Sequence, residues 1–116
     1  MNIEDIMLFC QSLKHVTTEV LWDNVLVFKV IGKMFCFVPM DEEDLKMNLK
    51  CDPDEAIELR ERYSAVLEGY HMNKKHWNTV LINNSVRDDV IEIWIKNSYQ
   101  LVLAKVAKSK KEQLGI

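Results

Sequence analysis

The chain has 116 residues, 48% hydrophobic and 28% charged, with three glycines and two prolines, a balance that excludes disorder and predicts one domain over residues 1–116. The formal net charge of −3 does not favour a protein dedicated to gripping phosphate backbones, because such domains are usually basic. Neither a membrane helix of roughly 18 apolar residues nor a signal peptide is recognisable, so a cytoplasmic protein without membrane contact is expected.

An N-terminal helix and three strands are predicted for the first third of the chain. Asn2 followed by Asp5 indicates a helix start, and apolar residues recur behind it at helical spacing. β-branched and aromatic residues then predict strands at 17–22, 26–31 and 33–38. Turns at 23–24 and at Gly32 would join these strands into an antiparallel meander.

Apolar and polar residues alternate over residues 45–50, which predicts a fourth strand. Its wet face would carry Lys46, Asn48 and Lys50. The acidic loop, residues 41–44, precedes it with four adjacent carboxylates. We favour a solvated hairpin loop over a site for a hard cation, because ion-binding loops usually space their ligands and supply a glycine.

A second helix and a further hairpin follow. Asp52 with Pro53 at the first helical position predicts a helix that ends near Ser64. Strands are predicted at 66–70 and 77–82. The residues between these strands, 71–76, form what we call the motif loop.

The last helix is expected to begin at Ser85, with Asp88 three residues later completing a capping box. Ser98 and Tyr99 fall on or beside its apolar stripe and need hydrogen-bond partners, so we expect them to tie the helix to the motif loop rather than to catalyse a reaction. The tail from Lys105 is expected to fray. The predicted element order is α-β-β-β-β-α-β-β-α.

The cysteines indicate a reducing compartment. Cys10, Cys36 and Cys51 are an odd number at wide spacing, without a C-x-x-C pair. They predict neither a disulfide framework nor a zinc site. Because Cys10 falls on a helix stripe and Cys36 in an apolar strand, buried free thiols are the favoured interpretation.

The charge is distributed unevenly along the chain. Residues 71–116 carry eight lysine or arginine side chains and four acids, a formal charge of +4, so residues 1–70 carry −7. A basic portion can orient a molecule on an anionic partner, because local potential steers encounter. Four tail lysines also fit a plain solubilising role at a helix C-terminus. They are Lys105, Lys108, Lys110 and Lys111.

Residues 70–80 read YHMNKKHWNTV and place histidines, lysines and an asparagine between apolar segments. Connecting loops of this kind often carry function. The histidines lack an orienting carboxylate or further ligands at motif spacing, and no Ser-His-Asp order, glycine-rich phosphate loop or H-E-x-x-H motif is present. The segment therefore indicates a binding surface on a non-enzymatic protein, with no cofactor and no metal.

This segment, together with the later SYQLV at residues 98–102, resembles the MmcQ/YjbR family of small bacterial proteins. Members of that family carry a YHMNK-HWNTV segment and a later SY-LV, and the resemblance extends over nearly the whole chain. It implies an α+β fold of the frataxin/CyaY type, a two-layer sandwich with helices on one face of an antiparallel sheet. It also implies a predicted DNA-binding role through a double-wing arrangement.

The leading hypothesis is a non-enzymatic, weakly sequence-specific DNA-binding protein in which two lysine-bearing hairpins straddle a phosphate backbone. Trp77 or Tyr70 would offer a stacking ring to nucleic acid only if exposed, and core packing is the alternative role for Trp77, as for Trp22 and Trp94. The predicted nucleic-acid-binding residues are Lys74, Lys75, His76, Trp77, His71, Lys29, Lys33, Lys46 and Lys50.

A protein-interaction or adaptor domain with a frataxin-like fold is the alternative, favoured by the acidic first portion of the chain. A metal-binding version of this alternative would draw on the carboxylates of the acidic loop. Those residues are Asp41, Glu42, Glu43 and Asp44.

Overall fold

The computed structural model describes residues 1–69 and 72–115, and its elements follow the predicted order. They are α1 (Ile3–Ser12), β1 (Val16–Leu21), β2 (Val25–Val30), β3 (Lys33–Pro39), β4 (Lys46–Lys50), α2 (Pro53–Arg62), β5 (Val66–Glu68), β6 (Trp77–Leu81), α3 (Asp88–Ala104) and α4 (Lys108–Gln113). The short helix α4 forms in the tail that was expected to fray. No helix among the described residues has the length and apolarity that a membrane span requires. Predictions that involve Tyr70 and His71 lie outside the described residues.

The six strands form one antiparallel sheet in the order β1-β2-β3-β4-β6-β5. The helices α1, α2 and α3 pack on one face of it, which confirms the predicted α+β two-layer sandwich. Tight turns join the first three strands, where Trp22 and Asp23 have φ of 49° and 69°, and Ile31 and Gly32 have φ of 50° and 78°. Left-handed pairs of this kind match the twist of a hairpin. The first turn therefore begins at Trp22, which the sequence had placed in the strand.

Antiparallel pairing gathers the chain reversals at two opposite ends of the sheet. The hairpin end contains the β2–β3 turn at Gly32, the end of β4 at Lys50 and the start of β6, because Lys50 pairs with Trp77. The opposite end contains the β1–β2 turn, the acidic loop between β3 and β4, and the start of α3. Helix α3 runs from the opposite end toward the hairpin end.

The main core lies between the helices and the sheet. Phe28, Phe35 and Met47 are fully buried on the sheet side, and Ile6 and Ile95 on the helix side. Burying a side chain of this size stabilises the fold by roughly 1.5–3 kcal/mol. Buried positions recur every three or four residues along α3, so its predicted apolar stripe is confirmed.

A smaller apolar cluster covers part of the helix-free face of the sheet. Val27, Phe37 and Trp77 are buried there, with Met34 and Met72 packed against them. Because Met72 comes from the motif loop, this loop contributes to the packing of the helix-free face. That face is therefore not a uniformly wet surface.

The prediction that Asn48 lies on a solvent-exposed face of β4 is wrong, because Asn48 is buried. Its side-chain amide donates to the carbonyl oxygen of Phe37 at 3.4 Å, and its Oδ1 accepts from the hydroxyl of Thr79 at 2.6 Å. Neighbouring strands on both sides seal the middle of β4, so only the lysines at its two ends reach solvent.

The prediction for the start of α1 is confirmed, and that for α3 is corrected. Asn2 Oδ1 accepts from the Asp5 N–H at 2.9 Å, and Asp5 Oδ2 accepts from the Asn2 N–H at 2.9 Å, which completes a capping box. Helix α3 begins only at Asp88 and has no side-chain cap. The Ser85 hydroxyl donates to Asn83 Oδ1 at 2.6 Å instead, as part of a turn in which Asn83 Oδ1 also accepts from the Ser85 N–H.

Candidate nucleic-acid interface

The structure divides the predicted binding lysines between the two ends of the sheet. Lys33, Lys50, Lys74 and Lys75 lie at the hairpin end, on the first residue of β3, the last residue of β4 and the motif loop. Lys46 lies at the opposite end, where β4 begins. The two hairpin tips thus share one end of the molecule, on either side of β4.

Asn73 organises the described part of the motif loop. Its Oδ1 accepts from the Lys75 N–H at 2.9 Å, and its carbonyl oxygen accepts from the N–H groups of His76 and Trp77 at 3.1 and 3.0 Å. Asparagine favours such turns because its short side chain substitutes for a backbone acceptor. In the sequence, Asn73 is recognisable only as a polar residue of the motif, and its structural role becomes visible only in the fold.

Two contacts hold the motif loop against the rest of the fold. The Cys51 N–H donates to the carbonyl oxygen of His76 at 2.8 Å, and Arg60 Nη1 donates to the carbonyl oxygen of Lys74 at 3.2 Å. The loop is thereby fixed to the end of β4 and to α2. Lys74 and Lys75 are exposed on this anchored loop.

The three tryptophan rings do not form an exposed stacking surface at the hairpin end. Trp77 is only 6% exposed, and its ring packs against Phe37 with centroids 5.6 Å apart. The condition for a stacking ring, exposure, is therefore not met, and Trp77 acts as a packing residue. Trp94 packs on Tyr63, whereas Trp22, expected at a core-compatible position, is 67% exposed at the opposite end.

Three of the predicted lysines are neutralised by carboxylates. Lys74 Nζ lies 3.6 Å from Glu68 Oε2, Lys46 Nζ lies 3.3 Å from Glu42 Oε2, and Lys29 pairs with Glu19. Exposed ion pairs of this kind contribute only about 0–1 kcal/mol to stability, but they lower the local positive potential. Among the described residues, no carboxylate forms an ion pair with the other three predicted lysines. These are Lys33, Lys50 and Lys75.

Lys50 stands in a positive environment. Partial burial, then Lys105, and then Lys33 lower the pKa of its amine. Lys105 directly follows the last residue of α3 and is the charged group with the largest influence on the pKa of Lys50. In the sequence, Lys105 is one of four tail lysines that fit a solubilising role, so its influence on Lys50 was not predicted.

Ser98 connects α3 to the sheet where the ladder between β3 and β4 is interrupted. The register between β2 and β3 shifts at Phe28, which leaves Phe35 as the extra residue of a bulge. The Ser98 hydroxyl donates to the Phe35 carbonyl oxygen at 2.6 Å and accepts from the Lys50 N–H at 2.8 Å. Tyr99 donates its hydroxyl to a carbonyl oxygen of the α1–β1 connection at 2.8 Å. The prediction that both residues bind the motif loop is therefore corrected.

The acidic loop does not gather its carboxylates around one point. Glu42 pairs with Lys46, and Asp41 Oδ2 accepts from Asn24 Nδ2 at 3.4 Å. Within residues 1–69 and 72–115, no group of three or more histidine, cysteine or carboxylate side chains is placed to hold a metal ion.

Cys51 is expected to be a slow nucleophile. Burial and the nearby carboxylates of Glu55 and Asp52 raise the pKa of its thiol to about 11 from 9.0. The thiolate fraction near pH 8 is then on the order of 10- to 100-fold below that of an unperturbed thiol. Iodoacetamide labelling followed by mass spectrometry should show this deficit against the denatured chain, and the native rate should keep rising as the pH approaches 11. Native labelling as fast as denatured labelling near pH 8 would contradict the assignment.

The comparisons with known proteins agree with this architecture. The YjbR family model matches residues 11–101. The Escherichia coli (strain K12) protein YjbR is 29% identical over 115 residues, which is 98% of both chains. The Escherichia coli O157:H7 protein YbdF is 33% identical over 92 residues, covering 76% of this chain and 72% of YbdF.

A solved structure shows the same fold. The crystal structure of Deinococcus radiodurans protein DR2400 superposes with a TM-score of 0.91 at 32% identity, covering 99% of this chain and 88% of that chain. The similarity therefore extends over nearly the whole fold. The family match over residues 11–101 confirms the resemblance that the motif segments indicate. The chain belongs to the YjbR family.

Proposed function

We propose that this protein binds DNA, without catalysing a reaction and with weak sequence specificity, through the hairpin end of its sheet. The observation that supports this most directly is the grouping of Lys33, Lys50 and Lys75 at one end of the molecule, unpaired among the described residues, while the acidic loop lies at the other. Such a separation orients the molecule on a polyanion despite its net charge of −3.

The spacing of the two hairpin tips fits a nucleic-acid groove. The β2–β3 tip and the motif loop are separated by about three strand spacings, or roughly 14 Å at about 4.8 Å per strand. The major groove of B-DNA is roughly 12 Å wide. Each tip can therefore approach one of the two phosphate backbones that border a groove, which is the physical content of a double wing.

The chemistry at the tips favours affinity over specificity. Lysine amines bind phosphate oxygens as point charges, and such contacts position a protein without reading bases. Glu68 neutralises part of the charge of Lys74, and Asp52 and Asp54 at the start of α2 lie beside the same end. We therefore expect a modest number of phosphate contacts and modest affinity.

Fluorescence anisotropy with labelled duplex DNA tests the proposal. Contact with about three phosphates predicts a slope near −3 for the logarithm of the association constant against that of the salt concentration. The Lys33→Glu/Lys75→Glu variant should lose at least about tenfold in affinity at low salt. Arg87→Glu/Lys96→Glu is the matched control, because it reverses the same two charges at exposed positions of α3, with Arg87 at the start of the helix at the opposite end. No binding by the parent protein at low salt, or equal loss in both variants, would exclude this surface.

A protein-interaction domain is the second candidate, favoured by exposed apolar side chains at the opposite end. Val20, Trp22 and Met40 are 54%, 67% and 41% exposed, and the Met40 N–H donates to the Asn24 carbonyl oxygen of the adjacent turn at 2.8 Å. A Trp22→Ser variant that loses a partner captured by the parent protein, while DNA is not bound, would favour this function. In either case the free thiols of Cys10 and Cys36 support placement in the reducing cytoplasm.

A further inference from the structure

Three lysines that are far apart in sequence converge at the hairpin end. Lys33 is the first residue of β3, Lys50 is the last residue of β4, and Lys105 directly follows α3. The Ser98 hydroxyl fixes α3 over the gap between β3 and β4 by binding the Phe35 carbonyl oxygen and the Lys50 N–H. Because Lys105 follows Ser98 by about two helical turns, the two residues lie on the same side of α3.

No described carboxylate forms an ion pair with any of these three lysines. Lys50 and Lys105 come from elements that contact each other, and both amines are donors when charged. After partial burial, Lys105 and then Lys33 are the groups that lower the pKa of Lys50. An arrangement of this kind is unfavourable without an anion, and it becomes favourable when an anion accepts from several of the amines.

The C-terminus of α3 opposes anion binding only weakly. A helix C-terminus is equivalent to roughly half a negative charge, and salt and solvent reduce its influence beyond the last turn. Three ammonium groups outweigh this potential. The helix C-terminus therefore does not offset the three amines, whereas Asp52 and Asp54 at the start of α2 lower the positive potential beside them.

We propose that Lys33, Lys50 and Lys105 together bind a phosphate group, the three amines approaching from β3, β4 and the end of α3. Phosphate offers several strong acceptor oxygens around one centre, whereas a carboxylate has two in one plane. The inference deepens the proposed function by naming a phosphate contact of the hairpin end. A backbone phosphate of nucleic acid and a free phosphate compound present the same chemistry to the site.

Titration with inorganic phosphate tests the site, with sodium chloride at matched ionic strength as the blank. In ¹H–¹⁵N spectra of the full chain, saturable shifts are expected at residues 33, 50 and 105, together with a rise in the pKa of Lys50. Lys50→Met should abolish the saturation, whereas Lys96→Met, at an exposed position of α3, should leave it unchanged. A thermal melt confirms that both variants are folded. Linear, unsaturable shifts in the parent protein, or identical saturation in Lys50→Met, would overturn the proposal.

A duplex-DNA arm distinguishes the two sources of phosphate and separates this inference from the proposed function. If Lys50→Met weakens DNA binding by roughly fivefold or more, the site takes a backbone phosphate. If phosphate saturates the site while the parent protein does not bind DNA, the site takes a free phosphate compound. In that case the proposed DNA binding is refuted and the three-lysine site is retained. If DNA binding depends on Lys33 and Lys75 while no phosphate saturation occurs, the three-lysine site is refuted and the proposed DNA binding is retained.

Discussion

Replacing Ser98 by alanine is expected to lower the free energy of unfolding by about 2–4 kcal/mol, measured by urea denaturation. The Ser98 hydroxyl bridges the Phe35 carbonyl oxygen and the Lys50 N–H at 2.6 and 2.8 Å. Its removal leaves both backbone groups without this hydrogen-bond partner. Each buried backbone group that loses its partner costs about 1–3 kcal/mol. The ladder between β3 and β4 pairs Cys36 with Leu49 and Phe37 with Asn48 and does not extend to Phe35 and Lys50, so it does not supply the missing bonds.

Ser109→Ala is the control for this prediction, because Ser109 is exposed on α4 and its side chain forms no hydrogen bond to another described residue. Its effect should stay within about 0.5 kcal/mol. A loss below about 1 kcal/mol in Ser98→Ala would mean that the bridge contributes little. The folded Ser98→Ala protein should also bind phosphate less tightly, because Lys50 and Lys105 lose their common anchor.

Replacing Gly69 by alanine is the second substitution for which a large effect is expected. A Cβ at this position would lie 2.8 Å from both the Cβ and the carbonyl oxygen of Trp77, and the Gly69 N–H is already bound to that oxygen at 3.0 Å. Since backbone atoms are involved, β5 or β6 has to move. We expect a loss of about 1–3 kcal/mol, the range typical of overpacking, and a change in the fluorescence of the tryptophans as Trp77 shifts from Phe37.

Gly32→Ala separates this clash from simple backbone strain. Gly32 has φ of 78°, but no atom lies within 4 Å of the position of its Cβ. Its substitution should therefore lower the free energy of unfolding by about 1–2 kcal/mol, the cost of placing alanine in a left-handed conformation. The fluorescence of Trp77 should not change. Equal fluorescence changes in the two variants would contradict the close approach of Gly69 to Trp77.

The two ends of the sheet suggest how one small acidic protein can still bind an anion. The acidic loop lies at the opposite end, and one of its carboxylates is paired with Lys46 on the same strand that carries Lys50 at the hairpin end. Under the proposed function, a molecule with this distribution presents its positive end to DNA and its negative end to solvent. The exposed Trp22 beside the acidic loop leaves that second end available for a protein partner.

Local sequence signals determined the elements and most of their order. Asn2 with Asp5, and Asp52 with Pro53, act within one helical turn, so their cap geometry follows from neighbouring residues alone. Alternation and β-branched content likewise placed all six strands within a residue or two of their observed bounds. The motif segments were enough to indicate the family, which the match over residues 11–101 confirms.

Other features depended on residues distant in the chain. Asn48 is buried because strands on both sides enclose the middle of β4, whereas the missed cap at Ser85 has a local cause, the hydrogen bond of its hydroxyl to Asn83 two residues earlier. Trp77 looked like part of a binding surface until Phe37, from another strand, was seen to pack against its ring. Strand alternation predicts which side chains share a face, but not what covers that face.

The grouping of the lysines was decided by tertiary structure alone. Sequence alternation put Lys46 and Lys50 on one face of β4, but it could not show that the two ends of that strand belong to opposite ends of the molecule. Lys105 joins Lys33 and Lys50 only because Ser98 binds α3 across a bulge 63 residues earlier in the chain. Sequence periodicity fixes the residues that form each element, whereas the register of the strands and the docking of α3 determine which charges meet.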